Sequence, residues 1–208
     1  MIAALGALSL RALIVDDASP DHTADVARDA GAEVLVREGN RGLGPAYRDG
    51  FAWALAGGFD PIIQMDADFS HDPADVPRLI AALGDSDLAL GSRYVAGGGT
   101  VNWGLGRRIL SRCGSVYART FSGVRYRDLT GGYKAWRADL LGRVLAPPAG
   151  FVRPSSDGYS FQVETTMLAH RLGARIVEVP IVFTERREGR SKMSLGIAVE
   201  AARRIPGF

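Results

Sequence analysis

Residues 61–71, Pro-Ile-Ile-Gln-Met-Asp-Ala-Asp-Phe-Ser-His, combine the pattern of a buried strand with a pair of carboxylates at its end. A short aliphatic run is followed at once by Asp66 and Asp68, two carboxylates separated by one residue. In open parallel sheets, ligands bind at the carboxyl ends of the strands. Carboxylates at positions i and i+2 can both reach one cation where the chain bends, and Mg²⁺ and Mn²⁺ prefer such hard oxygen ligands. The stretch predicts a strand that ends at a metal site; a turn or capping role for the two acids is the alternative.

The same alternation of aliphatic runs and helical patterns extends to both sides of this stretch. The predicted strands cover residues 12–15, 33–36, 61–65, 87–90 and 176–183, and the predicted helices cover residues 23–30, 45–56, 74–83, 107–121 and about 161–172. This alternation is typical of an α/β fold with a mostly parallel sheet flanked by helices. The sequence has no internal repeat, low-complexity tract or linker, which indicates a single domain over residues 1–208.

The composition favours a globular protein in a reducing compartment. With 208 residues, 47% of them hydrophobic, the chain is long enough to bury a core. Its one cysteine, Cys113, excludes an intramolecular disulfide. No apolar run reaches the roughly 18–20 residues that span a bilayer, and Met1–Leu10 lacks the basic flank and cleavage pattern of a signal peptide. We therefore expect a cytoplasmic protein.

Positive charge is concentrated in residues 93–137, which include nine Lys/Arg and one acid although the whole chain has a net charge of only +2. Such a field suits an anionic partner, which could be nucleic acid, a phosphorylated ligand or a membrane surface; a solvated basic face is the alternative. Within this segment the helix 107–121 is predicted to be amphipathic. Its apolar side is predicted to consist of Ile109, Leu110, Cys113, Val116, Tyr117 and Phe121, and its opposite side of Arg108, Arg112, Ser115 and Arg119.

Six short motifs occur in a fixed order along the chain. They cover residues 15–21 (VDDASPD), 40–44 (NRGLG), 65–71 (MDADFSH), 91–98 (GSRYVAGG), 128–134 (DLTGGYK) and 179–193, where VPIVFTER precedes GRSKM. Each motif alone is weak to moderate evidence, but the series resembles the inverting family-2 glycosyltransferases, specifically the dolichol-phosphate and polyprenol-phosphate mannose synthases. The resemblance extends from residue 13 to about residue 198. It implies a GT-A type fold that binds a nucleotide sugar with Mg²⁺ or Mn²⁺.

On the donor side, the resemblance implies that Asp66 and Asp68 hold the metal and act in catalysis together with Arg186. Metal and cations placed at the departing diphosphate stabilise the transition state more than the ground state. Some relatives have Gln where Ser70 stands, and Ser is a poorer metal ligand, so we do not expect Ser70 to contact the metal directly. The implied donor-binding residues are Asp16 and Asp17 near the base and ribose, Asn40, Gly42 and Gly44 in a backbone-rich loop, Asp66, Ala67 and Asp68 at the metal, and Arg186 and Lys192 near the diphosphate.

On the acceptor side, Arg93, Arg107 and Ser111 match positions that, by the resemblance, bind the phosphate of the lipid acceptor. Arg107 and Ser111 are four residues apart and so share one helix face. The acceptor phosphate is already anionic at neutral pH, so the reaction needs no strong base. A polyprenyl phosphate is met at the membrane, and the basic amphipathic helix predicts peripheral binding at the cytoplasmic face. Nucleic acid is not an expected partner, because no motif of that class accompanies the basic segment.

The beginning of the chain departs from the family pattern. Relatives open with a strand that ends in a Pro-Thr-Tyr-Asn-Glu-like segment, whereas Met1–Leu10 resembles the end of the helix that follows it. We therefore expect the first strand of the sheet to be missing. The expected activity is inverting transfer of mannose from GDP-mannose to a polyprenyl monophosphate. The alternatives are transfer of glucose or an amino sugar to a lipid phosphate, and an inactive module that binds nucleotide sugars.

Overall fold

The computed structural model describes residues 1–39 and 42–185, apart from the side chain of Ser122. The seven helices in this part of the chain are α1 (Ile2–Ala7), α2 (Thr23–Asp29), α3 (Leu43–Ala56), α4 (Val76–Ala82), α5 (Leu105–Ser122), α6 (Ala138–Leu145) and α7 (Ser160–Arg171). The eight strands are β1 (Leu13–Asp16), β2 (Glu33–Val36), β3 (Ile62–Gln64), β4 (Leu88–Ser92), β5 (Gly99–Val101), β6 (Lys134–Trp136), β7 (Ile176–Pro180) and β8 (Val182–Thr184).

The central sheet has four strands in the order β3-β6-β4-β7. Strand β6 is antiparallel to both of its neighbours, and β7 is parallel to β4. The pairs β1-β2 and β5-β8 form separate two-stranded parallel sheets. Three of the five strand pairings are therefore parallel, which confirms the predicted α/β class with a mostly parallel arrangement.

One predicted strand needs correction, and two observed strands, β5 and β6, were not predicted. The sequence did not predict β6, a three-residue strand inserted between β3 and β4. The predicted strand 176–183 is divided into β7 and β8, because Ile181 separates a segment that pairs with β4 from one that pairs with β5. Pro180, at the division, has no N–H to donate to a ladder, and the N–H of Ile181 donates to the Ser92 carbonyl at 3.1 Å.

Helices cover both faces of the central sheet. Alternate strand residues point to opposite sides, and apolar side chains on each side pack against helices. Leu88, Leu90 and Trp136 belong to a buried cluster with residues of α3, α6 and α7. Ala89 and Ala135 belong to a second cluster, with Val76 and other residues of α4. These two cores fix the sheet between its helices.

The topology brings several loops to one edge of the central sheet. Strands β3 and β4 both end there, and the antiparallel β6 begins there, since Lys134 pairs with Gln64 on one side and with Leu90 on the other. The loop after β3, the loop after β4 and the loop 128–133 before β6 therefore meet. This edge carries the candidate site.

Candidate active site

The loop after β3 holds Asp66 from two directions. Its backbone N–H donates a hydrogen bond to His71 Nδ1 at 3.0 Å, and its Oδ1 accepts one from the Tyr47 hydroxyl of α3 at 3.2 Å. Burial lowers the pKa of His71, which agrees with a neutral ring whose unprotonated Nδ1 is an acceptor. Burial, and secondly the charge of Asp66, raise the pKa of Tyr47, so Tyr47 remains a hydrogen-bond donor at neutral pH.

Asp68 is held by the residue that follows the turn. Its Oδ1 accepts hydrogen bonds from the backbone N–H of Ser70 at 3.0 Å and from Ser70 Oγ at 2.5 Å. Between them, Phe69 has the left-handed φ of 61°, a conformation that is uncommon for a bulky residue. Ser70 is buried and orients the second carboxylate.

The carboxylate pair fits a divalent metal of the Mg²⁺ and Mn²⁺ class. Asp66 and Asp68 are both partly exposed and follow one another around a tight turn. Within residues 1–39 and 42–185, no group of three or more His, Cys, Asp or Glu side chains could hold an ion by itself. Mg²⁺ is usually bound by one or two carboxylates plus substrate phosphates and water, so two protein carboxylates suit a metal that arrives with a diphosphate.

A buried polar network lies beneath this loop. Gln64 Nε2 donates to Gln162 Oε1 at 2.6 Å and Gln64 Oε1 accepts from Trp136 Nε1 at 3.2 Å. Lys134 Nζ donates to the Gln162 carbonyl at 2.8 Å and to Thr166 Oγ1 at 3.0 Å. Burial lowers the pKa of Lys134 to about 7. The network ties β3 and β6 to the first turns of α7.

Asp16 and Asp17 occupy different environments at the end of β1. Asp16 is buried, and its Oδ2 accepts from the Ser19 N–H at 3.0 Å within its own turn. Asp17 forms an ion pair with Arg37 and accepts from the Gly42 N–H at 2.9 Å. Asp17 therefore links the loop after β1 to the start of α3.

The glycines at the start of α3 allow the backbone of another loop to approach. A Cβ on Gly44 would lie 1.9 Å from the Ser156 carbonyl oxygen, and a Cβ on Gly42, whose φ is +142°, would lie 3.1 Å from the Asp157 carbonyl oxygen. The Gly44 N–H donates to that Asp157 carbonyl at 3.0 Å. The absence of side chains at Gly42 and Gly44 therefore makes room for the loop before α7.

Arg93, at the end of β4, forms a buried ion pair with Asp128. Its Nε and one terminal nitrogen each donate to an Asp128 oxygen at 2.7 Å, and the same nitrogen donates to Thr130 Oγ1 at 2.9 Å. Burial favours a lower pKa for Arg93, but Asp128 outweighs it and raises the pKa. Conversely, burial favours a higher pKa for Asp128, and Arg93 outweighs it and lowers the pKa. The pair stays charged, and Asp128 engages two of the three guanidinium nitrogens of Arg93.

Arg107 and Ser111 lie on α5 with different partners. The Arg107 guanidinium stacks 4.3 Å from the centre of the Trp103 ring and forms an ion pair with Glu185. Ser111 Oγ accepts from the Tyr94 hydroxyl at 2.7 Å. Arg107 Nε and Trp103 Nε1 are buried and have no hydrogen-bond partner among residues 1–39 and 42–185. Buried donors without an acceptor are rare and costly. A ligand that accepts hydrogen bonds from Trp103 and Arg107 would remove this cost.

The apolar side of α5 faces outward. Exposed residues include Leu105, Ile109, Leu110, Val116 and Phe121, with the exposed Arg108 and Arg112 beside them. The side that packs against the protein is made of small or polar residues, Ser111, Ser115 and Ala118. Ser115, predicted on the basic face, is instead buried, 3.3 Å from Thr130 Oγ1. None of the helices in the described part of the chain is long and apolar enough to cross a membrane.

Residues 2–145 match the family model described as Glycosyl transferase family 2. The chain belongs to this family. An undecaprenyl-phosphate mannosyltransferase of Micrococcus luteus is 48% identical over 194 residues, which are 91% of this chain and 78% of the relative. A polyprenol monophosphomannose synthase of Mycolicibacterium smegmatis is 42% identical over 189 residues, which are 88% of this chain and 69% of the relative.

Solved structures establish the fold of this glycosyltransferase. Glucosyl-3-phosphoglycerate synthase from Mycobacterium tuberculosis, in complex with Mn²⁺, UDP and glucosyl-3-phosphoglycerate, matches with a TM-score of 0.68 at 19% identity, covering 98% of this chain and 70% of that one. The same enzyme with Mg²⁺ and UDP gives a TM-score of 0.62 at 19% identity, covering 93% and 64%. The GT-A type fold expected from the sequence is confirmed.

The structure brings together some of the sequence-predicted residues of this glycosyltransferase and not others. Asp66, Ala67 and Asp68 share one turn, and Arg93, Arg107 and Ser111 surround the aromatic rings of Tyr94 and Trp103. Asn40, Arg186 and Lys192 lie outside the described residues. Sequence reasoning missed His71, Tyr47, Trp103 and Gln162; the only signal for His71 was its place in the motif 65–71, and the others make contacts to remote segments that spacing does not encode.

Proposed function

We propose that this glycosyltransferase transfers mannose from GDP-mannose to a polyprenyl monophosphate, with inversion at the anomeric carbon, and that residues 1–208 act as one catalytic domain. One observation carries the proposal: the carboxylate loop and the cluster of cationic and hydroxyl groups adjoin each other through Phe183. The Phe183 ring is 5.2 Å from the His71 ring and 5.2 Å from the Trp103 ring, and the Arg93 guanidinium lies 5.5 Å from it. The mannose and lipid-phosphate specificity of the two relatives supports the choice of substrates.

On the donor side, we assign Asp66 and Asp68 to the metal, with Tyr47 and Ser70 orienting their carboxylates. A bound Mg²⁺ or Mn²⁺ would neutralise charge on the departing diphosphate. Asp16, Asp17, Asn40, Gly42, Gly44 and Ala67 are proposed around the nucleotide, and Arg186 and Lys192 at the diphosphate. Cations placed at a leaving group whose charge grows in the transition state lower the barrier, because they bind that state more strongly.

On the acceptor side, we assign the phosphate to Arg93, Arg107 and Ser111; the charge of Arg93 is offset by its ion pair with Asp128, so Arg107 is the main cation of the three. The N–H groups of Trp103 and Arg107, for which the described part of the chain supplies no acceptor, favour an oxyanion here, since an anion would satisfy two buried donors at once. A phosphate oxygen attacks the anomeric carbon as the bond to the diphosphate breaks. GDP departs from the opposite side, so the product is a β-linked mannosyl phosphate.

The lipid tail of the acceptor places the reaction at a membrane. The outward apolar row of α5, flanked by arginines, suits an interface that contains anionic lipid. We propose reversible peripheral binding at the cytoplasmic face, with α5 as the contact. The same helix then carries both the acceptor-phosphate residues and the membrane-facing surface.

A panel of donors tests the proposed reaction. Purified protein is incubated with polyprenyl phosphate in detergent and separately with GDP-mannose, GDP-glucose, UDP-glucose and UDP-N-acetylglucosamine, and lipid-linked sugar is measured. We expect GDP-mannose to give the highest kcat/KM. Preference for a UDP-sugar would reject the donor assignment, and nucleotide binding without any transfer would favour an inactive binding module.

A further inference from the structure

We propose that His71 is a positioning residue for the metal-binding turn: its Nδ1 accepts the backbone N–H of Asp66 and thereby fixes the direction in which the first carboxylate leaves β3. This inference rests on the proposed role of Asp66 and Asp68 as metal ligands. His71 is five residues from Asp66 in the chain, yet the turn folds back so that the two are 3.0 Å apart.

The neighbours of the His71 imidazole ring hold it in one orientation. His71 is 1% exposed. Its ring stacks on Tyr133 with centroids 4.7 Å apart and planes 26° apart, and it meets the edge of Phe183 at 5.2 Å and 85°. Tyr133 is itself fixed, because its hydroxyl donates to the Asp72 carbonyl at 2.8 Å. Two aromatic neighbours from β8 and from the loop before β6 therefore set the orientation of the acceptor nitrogen.

Asp66 is consequently restrained at both ends of the residue. His71 binds its backbone N–H, and the Tyr47 hydroxyl of α3 binds its carboxylate at 3.2 Å. Rotation of the peptide before Asp66 would break the first contact and move the carboxylate away from the second. A ligand orientation that depends on a second layer of hydrogen bonds is the arrangement by which proteins tune metal affinity.

The turn between Asp66 and His71 needs such restraint. Phe69 adopts the left-handed φ of 61°, which persists only where surrounding contacts enforce it. Ser70 closes the turn on Asp68 through two hydrogen bonds, and its carbonyl accepts from the Thr184 N–H of β8 at 3.1 Å. His71 supplies the contact that closes the other side of the turn, on Asp66.

Two amide substitutions separate this role from simple packing. In His71→Asn the side-chain oxygen can occupy the place of Nδ1 and accept the Asp66 N–H, whereas in His71→Gln the longer side chain carries its oxygen beyond that place. Both variants lose the aromatic contacts with Tyr133 and Phe183, so they form a matched pair. His71→Phe is the complementary variant, since it keeps a ring but has no acceptor.

The readout is Mn²⁺ binding, followed by the electron paramagnetic resonance signal of free Mn²⁺ in the presence of GDP or UDP, without sugar or lipid. Loss of an outer hydrogen bond typically costs about 10–100-fold in metal affinity, so we expect that loss in His71→Gln and His71→Phe and less than about threefold in His71→Asn. Nucleotide binding without metal should be unchanged in all three. Melting temperatures show whether each variant is folded at the assay temperature.

The outcomes distinguish the inference from the function on which it rests. If the wild-type protein binds no Mn²⁺ with either nucleotide, the proposed metal site fails and the inference with it. If the wild type binds Mn²⁺ and folded His71→Phe binds it equally well, only the inference is overturned. Equal losses in His71→Asn and His71→Gln, with full affinity in His71→Phe, would assign His71 to packing. If either amide variant does not fold, the comparison of His71→Phe with wild type decides.

Discussion

Gly44 offers a sharp test of how the start of α3 is built, because another backbone lies where its side chain would be. A Cβ at Gly44 would stand 1.9 Å from the Ser156 carbonyl oxygen, more than an ångström closer than real Cβ contacts allow. Ser156 cannot yield easily, since its N–H donates to buried Glu164 at 3.1 Å. We predict that Gly44→Ala destabilises the protein by separating α3 from the loop before α7.

The size of the effect follows from three contributions. Overpacking a well-packed region costs about 1–3 kcal/mol, and loss of the Gly44–Asp157 hydrogen bond costs about 0.5–1.5 kcal/mol. The higher helix propensity of Ala offsets up to about 1 kcal/mol. The free energy of unfolding should therefore fall by about 2–3 kcal/mol. At about 2–4 °C per kcal/mol for a chain of this size, the melting temperature should fall by roughly 5–10 °C.

The assay is thermal unfolding followed by circular dichroism, with Gly114→Ala as the control. Gly114 lies inside α5, and a Cβ there meets nothing within 4 Å, so this substitution should leave stability unchanged or raise it slightly. Nucleotide affinity of Gly44→Ala, measured below its melting temperature, should also fall because the adjoining Gly42 and Asp17 move with the loop. If Gly44→Ala and the wild type have the same melting temperature, the close approach of Gly44 to the Ser156 carbonyl is refuted.

Three further predictions concern the acceptor cluster, the buried lysine and the membrane surface. Arg107→Ala should raise the KM for lipid phosphate at least about tenfold with little change for the nucleotide sugar, and Arg107→Lys need not restore it, because a guanidinium fork is not a point charge; an effect confined to the donor would contradict the assignment. The pKa of Lys134 is about 7 in the folded protein, against 10.5 in the unfolded chain. Between these two pH values the unfolded chain binds one more proton than the folded protein does, so the free energy of unfolding should rise with pH. Urea unfolding at pH 7 and pH 9.5 should show this rise, at most a few kcal/mol, in the wild type and not in Lys134→Met; parallel behaviour of the two proteins would refute it. Replacing Arg108, Arg112 and Arg119 with Gln should reduce co-sedimentation with anionic vesicles while GDP binding is retained, and added salt should reduce co-sedimentation of the wild type in the same way. If the folded wild-type protein binds neither neutral nor anionic vesicles, the proposed membrane contact is wrong.

The sequence predicted the elements whose pattern is local. Strands β1 to β4 and the helices around them follow runs of residues long enough to show a period. Strand β6 was not predicted, because three residues in an antiparallel insertion are too few to show an alternating pattern. Its buried Lys134 is also atypical of a strand. The division at Ile181 depends on which neighbouring strand the chain meets, which is a tertiary choice.

The orientation of α5 shows a second limit. Its amphipathic period was evident, but a period does not say which side is inside, and the small residues Ser111, Ser115 and Ala118 pack against the protein while Ile109 and Val116 face outward. Contacts between remote segments were likewise out of reach. The Asp66–His71 hydrogen bond requires the conformation of the turn, and the Arg93–Asp128 pair joins two loops that meet only because β6 lies beside β4.

Whether the carboxylate pair holds a catalytic metal is tested by mannose transfer from GDP-mannose to polyprenyl phosphate. The wild-type protein and Asp68→Asn are compared with Mg²⁺ or Mn²⁺ and after chelation. Asp29→Asn, an exposed carboxylate at the end of α2, is the matched control. Metal stabilisation of the departing diphosphate is worth several kcal/mol, and each 1.4 kcal/mol is about tenfold in rate. We predict that the wild type and Asp29→Asn transfer mannose only when metal is present, and that Asp68→Asn is slower by at least about a hundredfold. Near-normal transfer by Asp68→Asn with its metal dependence retained would contradict this prediction.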